Sequence, residues 1–152
     1  MAKRVLLALS SFRYNRQQMQ YALDLCRAEE AELVTLFVVD VNLARYFAGS
    51  GVMAGTTLRE QMEQGLMDDQ IKQAQEVLEG VCQLAAEQEV PCRSMLKVGR
   101  FAIEVRAVVA AEAPEVIVVT RARRPEWLRK LFGSPVDSLC SDPGGSCDVR
   151  IV

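Results

Sequence analysis

Residues 115–134 read EVIVVTRARRPEWLRKLFGS. Val116–Val119 are four consecutive β-branched residues, with Pro114 behind them and an arginine cluster ahead. That is the pattern of a short strand buried on both faces. At the far end, Gly133 is followed by Ser134 and Pro135, a serine placed to cap a helix and a proline suited to its first position. A buried strand, an exposed loop and a helix start, in that order, predict a loop at the carboxyl edge of a parallel sheet. Open α/β sheets bind their ligands at that edge, so any small molecule this chain handles is expected there.

Working outward, the same alternation recurs along the chain. Val5–Leu9 and Leu33–Val39 are apolar runs of strand length. Between them, Asn15 is placed to cap a helix whose Met19, Ala22, Leu23 and Cys26 fall at i, i+3, i+4 and i+7. Residues 41–57, with three glycines, have no clear period and read as a flexible connection. A long helical stretch runs from about Leu58 to Glu87, with a break expected near Gly65, because glycine weakens a helix by up to about 1 kcal/mol relative to alanine. Cys92–Val98 is a third strand closed by Gly99, Phe101–Ala113 a helix, Val116–Thr120 a fourth strand, Ser134–Ser141 a short helix, and Asp148–Val152 a last strand at a sheet edge. Strands alternating with helices predict a doubly wound parallel sheet with right-handed crossovers and helices on both faces.

The 152 residues, 50% apolar and 25% charged, suit one globular domain over residues 1–152, burying about two thirds of its unfolded surface. The apolar run near the amino terminus is shorter than a signal-peptide core, and no segment approaches a membrane span, so a cytoplasmic protein without membrane contact is expected. Five cysteines (Cys26, Cys82, Cys92, Cys140 and Cys147) include no CxxC pair, and the chain has no histidine. Histidine-assisted zinc binding and Ser-His-Asp or Cys-His catalysis are thereby excluded. Cys140 and Cys147 flank a Pro-Gly-Gly turn and could approach each other, although reduced thiols are the ordinary state in that compartment. Asp68-Asp69 and Glu60/Glu63 read as a solvated helix face, and Met62 and Met67 as core. A net charge of −2 argues against general nucleic-acid binding.

The order of elements and several particular residues resemble the universal stress protein family over essentially the whole chain. The likeness is most specific from Gly99 to Ser134, where a glycine follows the third strand and a Gly-Ser pair opens the last helix at the family's distance. VVDV at Val38–Val41 is also similar to the family's second strand end. The resemblance implies a five-stranded parallel sheet of order 3-2-1-4-5 and a homodimer formed through the C-terminal edge strand, where Val149, Ile151 and Val152 would otherwise leave an apolar edge unpaired. In ATP-binding members the pattern is Gly-x-x-Gly, nine residues, then Gly-Ser or Gly-Thr, with a strand-one aspartate at the adenosine portion.

Laid onto this chain, the final pair is present as Gly133 and Ser134, but Thr120 and Arg123 stand at the two loop glycines and Ser10 at the aspartate. A phosphate-cradling loop needs close backbone approach, often with positive φ, which a β-branched threonine resists. Ser10 lacks the carboxylate's charge-assisted bond. Each lost contact costs about 1–3 kcal/mol, and together they remove two or more decades of affinity. No cofactor is therefore expected, ATP included, and no catalysis.

The loop also holds Arg121, Arg123, Arg124, Arg129 and Lys130 against the single acid Glu126. These cations read as a solvated loop face. The alternative is an anion site in which arginines and the helix start at Ser134 hold a phosphate-bearing ligand in the crevice beside Ser10, Val39, Gly99 and Thr120. Trp127 among the cations fits single-strand stacking, but a tryptophan covering the last helix is the stronger reading, and nucleic acid is not expected. The role expected is regulatory or protective, through contacts with a protein partner the sequence does not identify.

Overall fold

The structure, a computed structural model, describes residues 3–11, 14–40, 56–120, 145 and 147–152. The elements are β1 (Arg4–Ser10), α1 (Arg16–Glu29), β2 (Glu32–Asp40), α2 (Thr56–Glu87), β3 (Cys92–Gly99), α3 (Phe101–Glu112), β4 (Val116–Val119) and β5 (Asp148–Ile151). The strands form one five-stranded sheet in the order β3-β2-β1-β4-β5, every neighbouring pair parallel. The doubly wound α/β arrangement anticipated from the alternation of elements is thus present, with the terminal strand at an edge.

Strand alternation divides the core between two faces. Val5, Leu7 and Leu9 of β1 and Leu33, Phe37 and Val39 of β2 pack with Ala22, Leu23 and Cys26 of α1 and with Ala74, Leu78, Val81 and Ala85 of α2. On the opposite face, Leu6, Ala8, Val34, Leu36, Val38, Ile117 and Val119 meet Phe101, Val105, Val108 and Val109 of α3. The central strands are buried on both sides, so truncating one of their leucines to alanine costs about 2–5 kcal/mol.

Local rules account for the helix ends. Asn15 caps α1, its side chain accepting from the Gln18 N–H at 2.7 Å. Glu30 and Ala113 end α1 and α3 in the left-handed region, at φ 53° and 47°. The expected break at Gly65 does not occur: α2 continues unbroken from Thr56 to Glu87, because its inner stripe packs on β2 and β3 and outweighs glycine's weak local penalty. Met67 packs against the core while Asp68 and Asp69 are exposed, as their spacing predicts. The connection at 41–55, the helix at 134–141, Cys140 and Trp127 lie outside the described residues, as do the side chains of Glu60, Met62 and Glu63.

At the amino edge of the sheet, four charges from four elements interlock. The Arg93 guanidinium donates to both Glu32 and Glu112, and Arg4 reaches the same two carboxylates at 3.8 and 3.5 Å while donating to the Glu112 carbonyl at 2.9 Å. Glu112 is therefore a tie between α3, β1 and β3. The Arg93 guanidinium holds its carboxyl below the usual range.

Candidate functional site

In a sheet of order 3-2-1-4-5, the connections leave β1 and β4 in opposite directions, and the carboxyl ends of two such strands are where open α/β sheets place their ligands. Their pairing runs only from Val5↔Val116 to Leu7↔Val118, whereas β1 stays paired with β2 as far as Ser10↔Val38. Beyond Leu7, carbonyls that a continuing ladder would have satisfied need other donors. Gln18, in the first turn of α1, supplies them. Its Nε2 donates to the Ala8 carbonyl at 3.1 Å and to the Val118 carbonyl at 3.3 Å, and the residue is fully buried. Its Oε1 has no hydrogen-bond partner among the described residues. A buried side-chain amide thus bridges β1 and β4 at their carboxyl ends.

Above this bridge runs a second polar chain. The Asn15 Nδ2 donates to Thr120 Oγ1 at 3.2 Å, and Thr120 Oγ1 donates to the Val152 carbonyl at 2.7 Å. One hydroxyl thus joins the start of α1, the end of β4 and the last residue of the chain, whose N–H also donates to the Val119 carbonyl at 2.9 Å. Thr120 is 7% exposed. Its backbone stays out of the left-handed region, since among the described non-glycine residues only Glu30, Glu89 and Ala113 have positive φ.

The sequence-selected residues fall as follows. Ser10 ends β1 and is buried, Val39 is buried near the end of β2, Gly99 ends β3, and Thr120 follows β4. All four stand at the carboxyl edge, with Ser10 and Val39 on neighbouring strands. Gly99 lies one strand farther out, paired with Asp40. A methyl group on Gly99 would meet the Glu104 carboxylate at 2.6 Å, so the close approach at this glycine is to the first turn of α3. Arg121, Arg123, Gly133 and Ser134 lie outside the described residues. No group of three or more His, Cys, Asp or Glu side chains that could hold a metal ion occurs among the described residues, and no described helix is long and apolar enough to cross a membrane.

Gln18 escapes a reading based on apolar spacing, although a signal for it exists. It lies four residues before Ala22 and eight before Cys26, on the stripe that α1 buries. A polar residue on that stripe marks a backbone group in need of a partner. The second role of Asn15, reaching across to β4, has no local signal because its partner is 105 residues away.

Comparison with known proteins agrees with this architecture. The sequence profile of the Universal stress protein family matches residues 1–142. No curated protein matches the chain. Among solved structures, the chain is similar to the universal stress protein UspA from Lactobacillus plantarum, with a TM-score of 0.72 at 15% identity over 100% of this chain and 99% of that one. It is also similar to a universal stress protein in complex with cAMP, with a TM-score of 0.61 at 13% identity, covering 100% and 98% of the two chains. A family protein from Arabidopsis thaliana with AMP bound aligns with a TM-score of 0.52 at 15% identity, covering 99% of this chain and 90% of that one. At such identities these likenesses establish the fold alone, but together with a family profile spanning nearly the whole sequence they leave one assignment: the chain belongs to the universal stress protein family.

Proposed function

We propose that this chain is a universal stress protein domain that acts in a regulatory or protective role through contacts with other proteins, without binding ATP and without catalysing a reaction. The observation that carries this reading is the commitment of Thr120. At the position of the first loop glycine of ATP-binding relatives, the hydroxyl is engaged by Asn15 and Val152 and the backbone holds no left-handed conformation. A β-branched residue so tied does not release its N–H to cradle a phosphate. Ser10 in place of the aspartate and Arg123 in place of the second glycine point the same way. The cytoplasm suits the thiols of Cys26, Cys82, Cys92 and Cys147, all of them free.

Association through β5 belongs to the same reading. Ile151 and Val152 are 41% and 36% exposed at the edge of the sheet, and an unpaired apolar edge invites pairing with a second copy. Light scattering at micromolar concentration is expected to give a dimer mass, and a monomer mass would count against it.

A second reading, in which the arginine-rich loop holds a nucleotide or other phosphate ligand, draws on the cAMP and AMP named with two of the fold relatives. Calorimetry and thermal shift with ATP, ADP, AMP and cAMP separate the two. A ligand at a hundred times its dissociation constant stabilises by about 2.7 kcal/mol. No shift is expected for any of the four; a clear shift with ATP defeats the proposal, and a shift with AMP or cAMP that disappears in Arg123→Ala establishes the second reading.

A further inference from the structure

We propose that Cys82 and Cys92 form a reversible oxidation site, a thiol pair that peroxide converts into an internal disulfide. Their sulfurs stand 3.5 Å apart, in contact and unbonded. A disulfide bond of ~2.05 Å requires them to close by about 1.5 Å, within reach of small side-chain rotations.

The fold brings the pair together. Cys82 lies toward the carboxyl end of α2, and Cys92 is the first residue of β3. The connection between them is pinned by the Val90 N–H donating to the Ala85 carbonyl at 2.8 Å, by the Leu33 N–H donating to the Pro91 carbonyl at 2.8 Å, and by Glu89 in the left-handed region at φ 59°. Both cysteines are half-buried, within reach of a small oxidant, whereas Cys26 is 1% exposed. The Thr35 hydroxyl lies 3.7 Å from the Cys92 sulfur. Burial pushes the Cys92 thiol up to about 12, so its thiolate is scarce at neutral pH and oxidation is expected to quicken as pH rises.

The chemistry closes with hydrogen peroxide as the only co-reactant. One thiolate attacks the peroxide, breaking the O–O bond and leaving a sulfenic acid and hydroxide. The neighbouring sulfur then displaces the sulfenic oxygen, forming the S–S bond. The two sulfurs lose two electrons, the peroxide gains them, and the two thiol protons leave in two molecules of water. The bond joins the end of α2 to the outer edge strand, and a dithiol reductant reverses it.

Trypsin cuts after Lys72 and Arg93, so both cysteines fall within the single peptide Gln73–Arg93. The reduced full-length chain is titrated with hydrogen peroxide at mildly alkaline pH, alkylated, digested and weighed. The expected result is a peptide about 2 Da lighter than its dithiol form and carrying no alkyl group, appearing at lower peroxide than any change at Cys26 and abolished by dithiothreitol. Wild-type protein is expected to melt higher after oxidation, a rise lost in Cys82→Ser. Full alkylation of both sulfurs after peroxide treatment overturns the proposal, as does their recovery as separate sulfinic acids or in disulfides with other cysteines. The mass measurement uses the wild-type chain alone and stands even if the serine variant folds poorly.

Discussion

Replacing Gln18 by leucine tests whether a side-chain amide substitutes for sheet hydrogen bonds where β1 and β4 part. The variant keeps the volume close and removes the donor, so the buried carbonyls of Ala8 and Val118 lose their Nε2 partner. Each unsatisfied carbonyl costs about 1–3 kcal/mol. The loss is offset in part because the unpartnered Gln18 Oε1 disappears with the amide, recovering about 1–3 kcal/mol. The net expectation is destabilisation by about 1–3 kcal/mol, or a fall of roughly 2–12 °C in melting temperature for a chain of this size. Urea denaturation is expected to show a lower midpoint at an unchanged slope. Gln18→Glu makes the stability of the bridge depend on pH. In this buried place, without a donor for a carboxylate, the folded-state pKa rises above the unfolded value of about 4.3. The protonated acid retains one O–H donor, so this variant is most stable below the unfolded pKa and loses that stability as pH rises through the folded one. Gln18→Leu melting at or above wild type, or Gln18→Glu with a flat profile from acid to neutral pH, would refute the bridging role.

Asn15→Ala removes both the α1 cap and the bond to Thr120, and is expected to cost about 1–2 kcal/mol. Asn15→Asp keeps the cap and loses only the donor to Thr120, so its urea midpoint should fall between alanine and wild type; equal midpoints for the two variants would dismiss the Thr120 contact. Glu112 has its carboxyl held below the usual range, chiefly by its hydrogen bonds from Arg93. Its contribution is therefore present above about pH 4.3 and disappears as pH falls through the lowered value. Glu112→Gln should lower the urea midpoint at neutral pH and match wild type in strong acid, and a midpoint difference that persists in strong acid would contradict the assignment.

The features legible in the sequence are those that each element carries within itself. The β-branched run Val116–Val119 forms β4, Ala22, Leu23 and Cys26 face the core, and Asn15 caps α1, because periodicity and capping depend on residues a few positions apart. The replaced glycine at Thr120 was likewise visible, and the structure adds what the hydroxyl does there. Strand order came with the family likeness and not from any period in the chain. Gly65 misled because local propensity is worth about 1 kcal/mol, less than the burial of the α2 stripe along the sheet.

Only the tertiary structure decided which residues meet across elements. It placed Gln18 between two carbonyls, joined Arg4, Glu32, Arg93 and Glu112, and set Cys82 against Cys92, a pair that no motif spacing announced. The physical reason is that hydrophobic patterning states that a position is buried but is silent on its neighbour. That neighbour is chosen by the crossovers that carry β3 to one edge of the sheet and β5 to the other.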